Sequence, residues 1–130
     1  MYYFSSEIQG TAAEVEQQVV EALKQEGFGI MTEIDVAATL KAKLDMDKPP
    51  YKILGACNPQ LASGALEKDP EIGALLPCNV VVRENDKGSI TVTFMDPEAV
   101  IGMTGNSELT ELAGEVRSRM LRVQSALTAG

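Results

Sequence analysis

Two thiols carry most of the chemistry open to this chain. Cys57 lies in Gly55-Ala56-Cys57-Asn58-Pro59, and Cys78 in Leu76-Pro77-Cys78-Asn79-Val80. Asn58 followed by Pro59 reads as a helix N-cap with proline at the first helical position. Cys57 then falls just ahead of a helix N-terminus, where unpaired amides favour a thiolate over a thiol. Cys78 opens an apolar strand. The two stand 21 positions apart, so no local Cys-x-x-Cys turn joins them and only the fold can bring them together. If the strands ending at Cys57 and starting at Cys78 are antiparallel, the thiols can approach. A parallel crossover would leave them a strand length apart, about 17 to 20 Å. Two readings follow. In one, Cys57 is a nucleophile of lowered pKa and Cys78 its resolving partner. In the other, both are small hydrophobes packed in a core. No metal site is assigned. Two thiolates supply half of a tetrahedral four-sulfur site, and no Cys-x-x-Cys or Met-rich tract argues for a soft ion such as copper(I).

The remaining candidates are weaker. The chain has no histidine, which removes the Ser-His-Asp triad, the Cys-His pair, the imidazole metal ligand and the ordinary base that titrates near neutrality. Asp45 with Asp47 and Asp69 with Glu71 lie in polar turns, where solvent keeps both carboxylates ionised. Gly102-Met103-Thr104-Gly105-Asn106-Ser107 opens onto a helix N-terminus, a generic anion setting, but it lacks the Walker lysine and reads as the approach to an N-cap. Arg117, Arg119 and Arg122 fit the negative end of the last helix, with Glu115 and Arg119 spaced for an i,i+4 pair.

The elements that must position these residues follow from periodicity. Tyr2 to Ile8 is a first strand, ended by Gly10. Thr11-Ala12-Ala13-Glu14 has capping-box spacing, and a helix over about 12–26 carries Val15, Val19, Ala22 and Leu23 on one face, closed by Gly27. Phe28, Ile30, Thr32 and Ile34 alternate as a strand with one buried face. Asp35 caps a short helix with Val36, Leu40 and Leu44 on one stripe, stopped by Lys48-Pro49-Pro50. Tyr51 to Ala56 is a short buried strand, and Leu61, Ala62, Ala65 and Leu66 face inward from the next helix, which Asp69-Pro70 breaks. Ile72 to Leu76 is an apolar connection without an assigned local structure. Cys78 to Glu84 and Ile90 to Phe94 flank the Asn85-Asp86-Lys87-Gly88 turn as a hairpin. After Asp96-Pro97 and one helical turn to Ile101, the longest helix is capped by Asn106 or Ser107 and runs Leu109, Leu112, Ala113, Val116, Met120, Val123 and Leu127 along one face. The order β-α-β-α-β-α-β-β-α predicts a single compact α+β domain over 1–130, a mixed sheet of about five strands with helices packed on it.

Composition bounds the function classes. With 130 residues, 45% hydrophobic and 23% charged, one domain can bury an adequate core without disulfides or a structural metal. The chain is acidic, at −8 from 11 Lys+Arg against 19 Asp+Glu, a field that repels phosphate backbones and anionic membranes, so no nucleic acid and no membrane are expected as partners. The first residues lack a basic segment followed by an apolar one, and no stretch is long enough to span a bilayer, so a cytoplasmic location with free thiols is expected.

The run Ile53-Leu54-Gly55-Ala56-Cys57-Asn58-Pro59, then Leu75-Leu76-Pro77-Cys78-Asn79-Val80 and Asp96-Pro97, resembles the bacterial and archaeal domain-of-unknown-function 302 family over nearly the whole chain. The resemblance implies a compact α+β domain and a homodimer. It supplies no enzyme activity and no cofactor, and it marks the Cys57 and Cys78 segments as signature regions. The leading expectation is therefore a non-enzymatic domain that binds a small ligand or a protein partner through Cys57, Asn58, Pro59, Pro77, Cys78 and Asn79. The alternative is thiol-dependent redox or sulfur handling by Cys57 and Cys78.

Overall fold

The computed structural model describes residues 1–129. Its elements run in the expected order: β1 (Tyr3–Ile8), α1 (Ala12–Gln25), β2 (Gly29–Asp35), α2 (Val36–Leu44), β3 (Tyr51–Cys57), α3 (Pro59–Lys68), β4 (Cys78–Glu84), β5 (Ile90–Met95), the short α4 (Pro97–Gly102) and α5 (Thr110–Ala129). The caps read from the sequence form. Thr11 Oγ1 accepts from the Glu14 amide at 3.2 Å while Glu14 Oε1 accepts from the Thr11 amide at 3.2 Å, and Asp35 Oδ1 accepts from the Ala38 amide at 2.8 Å. Asn106 caps a 3-10 turn, Ser107–Leu109, which leads into α5 rather than starting it. The unassigned apolar connection is a second 3-10 turn, Pro70–Leu75, which buries Ile72.

The five strands form one sheet in the order β1-β5-β4-β3-β2, with helices packed on it as an α+β domain. Every pairing is antiparallel, so the sheet is not mixed. The chain reverses between β2 and β3 instead of crossing over: α2 is a helix set into the loop of a wide hairpin, with Asp35 at the end of β2 opposite Lys52 near the start of β3. β3 and β4 are joined in the same sense, with Ala56 opposite Cys78. α1 instead carries the chain from one edge of the sheet to the other, from β1 to β2.

One face of the sheet holds the core. Leu54, Val80, Val82, Val92 and Phe94 pack there against Val15, Val19 and Leu23 of α1 and Val116, Met120 and Val123 of α5. A smaller cluster joins Ala65 of α3, Ile72, Ile101, Leu109 and Ala113. The half-buried β2 and the inward stripe of α2 expected from alternation are corrected. β2 is an edge strand whose residues are mostly exposed, interrupted by a bulge at Met31 between Ile30 and Thr32, and α2 buries none of its residues. Period-two spacing records only that side chains alternate; at an edge with nothing packed outside it, neither face becomes fully buried.

Candidate functional site

The two signature segments meet at one end of the sheet. β3 ends at Cys57, Asn58 caps α3 by accepting from the Leu61 amide on Oδ1 at 3.1 Å, and Pro59 starts the helix. Pro77, after a cis peptide bond from Leu76, leads into Cys78 at the start of β4. Antiparallel pairing thus brings the thiols close, the first of the two arrangements open to the sequence. The register decides how close. Ala56 is the partner of Cys78, whereas Cys57 pairs outward with Gly29 of β2. Residues opposite one another in a ladder share a face and neighbours along a strand do not, so Ala56 holds the place that a disulfide partner of Cys78 would need. Both cysteines are free; Cys78 is buried at 6% exposure in the main core, and Cys57 is half-buried.

Both thiols are held in the protonated form. Burial pushes the Cys57 thiol up, and burial together with the neighbouring Cys57 pushes Cys78 up to about 11. At this helix start Pro59 has no amide hydrogen, the Leu61 amide is taken by Asn58 Oδ1 and the Ala62 amide by the Asn58 carbonyl at 2.9 Å, which leaves the Gln60 amide as the first-turn donor without a partner among the described residues; desolvation outweighs what that turn offers Cys57.

Cys57, Asn58, Pro77 and Cys78 line one pocket together with Phe28, Leu61, Ala65, Ile101, Leu112 and Val116. Its walls are almost wholly apolar and it encloses about 30 Å³, the room of a single water. Asn58 stands at its rim with Oδ1 committed to the cap and Nδ2 unpaired among the described residues. Two glycines shape the surroundings. Gly27, at φ +84°, lets Asn58 Nδ2 and Arg119 Nη1 approach its backbone; a Cβ there would stand 2.8 Å and 3.1 Å from them. A Cβ on Gly55 would lie 2.7 Å from Pro77 Cγ and run into Thr32 Oγ1, so Pro77 is seated where Gly55 has no side chain. A lone glycine in an apolar strand is the sequence signal for such an approach. Arg119 forms the i,i+4 pair with Glu115 that the spacing announced, at 2.8 Å, and also donates from Nη1 to the Glu26 carbonyl at 3.0 Å, a contact with no local signal. Pro59 and Asn79 flank the site: Pro59 opens α3, and the exposed Asn79 pairs with Gly55.

The other candidates have structural employment. Asp45 and Asp47 both hold Lys41 at the surface, Asp69 caps the 3-10 turn at Glu71, and the Gly102 to Ser107 loop spends its polar side chains on its own backbone. Arg117 pairs with Asp96 and Arg122 with Glu26. Among the described residues no group of three or more His, Cys, Asp or Glu is placed to hold a metal ion, and no helix is long and apolar enough to cross a membrane. A roomier cleft of about 660 Å³ lies between α1, the end of β1 and the last turns of α5. It is open to solvent, lined by glutamates and glutamines, and remote from both thiols, so the smaller pocket is the better candidate.

A family model described as Domain of unknown function DUF302 matches residues 4–127. Among solved structures, the crystal structure of an uncharacterized conserved DUF302 protein from Bacillus stearothermophilus superposes with a TM-score of 0.87 at 29% sequence identity, covering 98% of this chain and 97% of that one. No curated protein matches the chain.

Proposed function

The chain belongs to the family described as Domain of unknown function DUF302, and on that premise we propose that it works by binding rather than by covalent chemistry. The site is the pocket between the Cys57-Asn58-Pro59 and Pro77-Cys78-Asn79 segments, and the working unit is the homodimer that the family resemblance implies. One observation carries the reading: both signature segments line the same apolar pocket, and its one polar rim group, Asn58 Nδ2, is left free to donate. A neutral apolar group with a hydrogen-bond acceptor suits such a site. The ligand must part the rim, since the enclosed space alone holds no more than a water. The thiol-dependent alternative is disfavoured by the raised pKa of both cysteines and by the register that gives Ala56 the place beside Cys78.

The test is a titration of the ¹⁵N-labelled protein with isobutyramide, a small apolar group bearing one carbonyl acceptor. Shift changes are expected at the amides of Phe28, Cys57, Asn58, Gln60, Leu61, Leu76 and Cys78, and should vanish in Ala62→Leu, which fills the pocket. Changes scattered over the surface, or unaltered by Ala62→Leu, would remove the pocket as the binding site.

A further inference from the structure

The rim donor of the pocket has a charged neighbour that the pocket walls do not include. Three elements meet beside it: the turn after α1 at Gly27, the start of α3 at Asn58, and α5 with Arg119. Because Gly27 has no side chain, Asn58 Nδ2 and Arg119 Nη1 both come within 3.1 Å of the place its Cβ would occupy. Two N–H donors that close to one point can be bridged by a single oxygen about 3 Å from each. Neither group is used up. Asn58 spends only Oδ1, on the α3 cap. Of the five N–H groups of a guanidinium, Arg119 spends one from Nε on Glu115 Oε1 at 2.8 Å and one from Nη1 on the Glu26 carbonyl at 3.0 Å. Those two bonds also fix the guanidinium plane, so its remaining donors are oriented before any ligand arrives.

The same contacts set the local charge. Arg119 is balanced by Glu115, and Arg122, the next arginine of α5, is balanced by Glu26 at 2.8 Å. The junction is therefore neutral within a chain of net charge −8. An anion entering here would give up its water beside an almost wholly apolar pocket, with no net positive charge to compensate. A neutral carbonyl loses far less hydration and has two lone pairs for two donors. We propose, on the basis of that pocket being the binding site, that Arg119 is its second anchoring residue and that the ligand is a neutral carbonyl compound, an amide or ester with a short aliphatic tail. Its oxygen accepts from Asn58 Nδ2 and the Arg119 guanidinium together, and its tail enters the pocket. Val116, three residues before Arg119 on α5, lines that pocket, so the two donors and the apolar walls lie within reach of one small molecule. The enclosed space of about 30 Å³ keeps the tail short.

The experiment compares isobutyramide with isobutyrate, an anion of nearly the same shape, by ¹⁵N shift titration of the full chain at pH 7. The wild type should bind the amide more tightly than the anion by about tenfold. Arg119→Met, which keeps the stem and removes the donors, should weaken the amide about tenfold, the worth of one hydrogen bond to a charged group. Because Arg119 also ties α5 to the end of α1, Glu115→Gln gives a reading independent of folding losses. Glu115 is 46% exposed, and glutamine keeps an acceptor for Nε while baring the guanidinium charge. The preference for the amide over the anion should then fall about threefold. An amide that does not bind at the pocket of the wild type would overturn the site and Arg119 with it. Equal amide binding by the wild type and Arg119→Met would overturn Arg119 as an anchor and leave the pocket standing. A wild type that binds isobutyrate as tightly as isobutyramide, or a ratio unmoved by Glu115→Gln, would overturn the neutral ligand class.

Discussion

Adding one methyl group at Gly55 tests how the two signature segments are held together. The backbone at Gly55 is extended and central in β3, where alanine is ordinarily better than glycine by about 0.5 to 1 kcal/mol. Here the new Cβ would stand 2.7 Å from Pro77 Cγ and collide with Thr32 Oγ1. Both neighbours are anchored in ladders or their extensions, Thr32 directly opposite Gly55 and Pro77 one residue before β4. Overpacking of this kind costs about 1 to 3 kcal/mol. Two rigid contacts place it in the upper half of that range, leaving a net loss of about 1 to 2 kcal/mol after the backbone gain. Urea melts read the loss as a lower midpoint at constant slope. Thr32→Ala combined with Gly55→Ala should recover part of it, with a coupling of at least about 0.5 kcal/mol. The same methyl should shift Pro77 and with it the rim of the pocket, visible as amide shifts at Leu76 and Cys78. A neutral or stabilising Gly55→Ala, or a double variant that is merely additive, would refute the idea that Pro77 is seated on a position that must lack a side chain.

Asn58→Ala should cost about 1 kcal/mol as a lost N-cap and weaken isobutyramide binding by removing the rim donor; thermal melts and the same NMR titration check it. Cys78, with its thiol raised to about 11, should alkylate with iodoacetamide at pH 8 about a hundredfold more slowly than an ordinary thiol, since only the thiolate reacts. Its raised folded-state pKa also sets a sign for stability. The contribution is complete below the unfolded value near 9 and is lost as pH rises toward 11, because the unfolded chain releases this proton first. The Cys78→Ala protein should therefore lose less stability across that window than the wild type, by up to about 2 kcal/mol; equal alkaline limbs in urea melts would remove burial as the cause.

The elements and caps of this fold were legible because each is written locally. Thr11 with Glu14, Asp35, and Asn58 with Pro59 place helix starts through hydrogen bonds within three residues, and the hairpin around Asn85 to Gly88 joins strands next to each other in sequence. What was not legible depends on partners distant in sequence. The sense of β3 against β2 is not set by the 36–50 connection, which is long enough for either, but by how the two strands pair in the finished sheet. The exposure of Ile34 turns on β2 having no strand outside it. Arg119 reaches the Glu26 carbonyl across 93 positions, and no spacing rule connects them. Gly55 was the one such contact that left a mark in the sequence, as a glycine inside an apolar strand.

The thiols show how local and distant information combine. A cysteine before a helix start is read locally as activated, and the rule holds when the first-turn amides are free. In this chain the motif that announces the helix, Asn58 with Pro59, takes or deletes all of those amides but that of Gln60, so the signal for the helix also weakens the potential that would act on Cys57. The antiparallel β3 and β4 then bring Cys78 near, but in register with Ala56, and desolvation raises both thiols. Proximity without a shared face and without a stabilised thiolate favours packing over exchange. The one polar side-chain group that the cap does not consume at the junction is the Asn58 amide nitrogen, beside Gly27 and Arg119, and the proposed hydrogen-bonded binding rests on that donor.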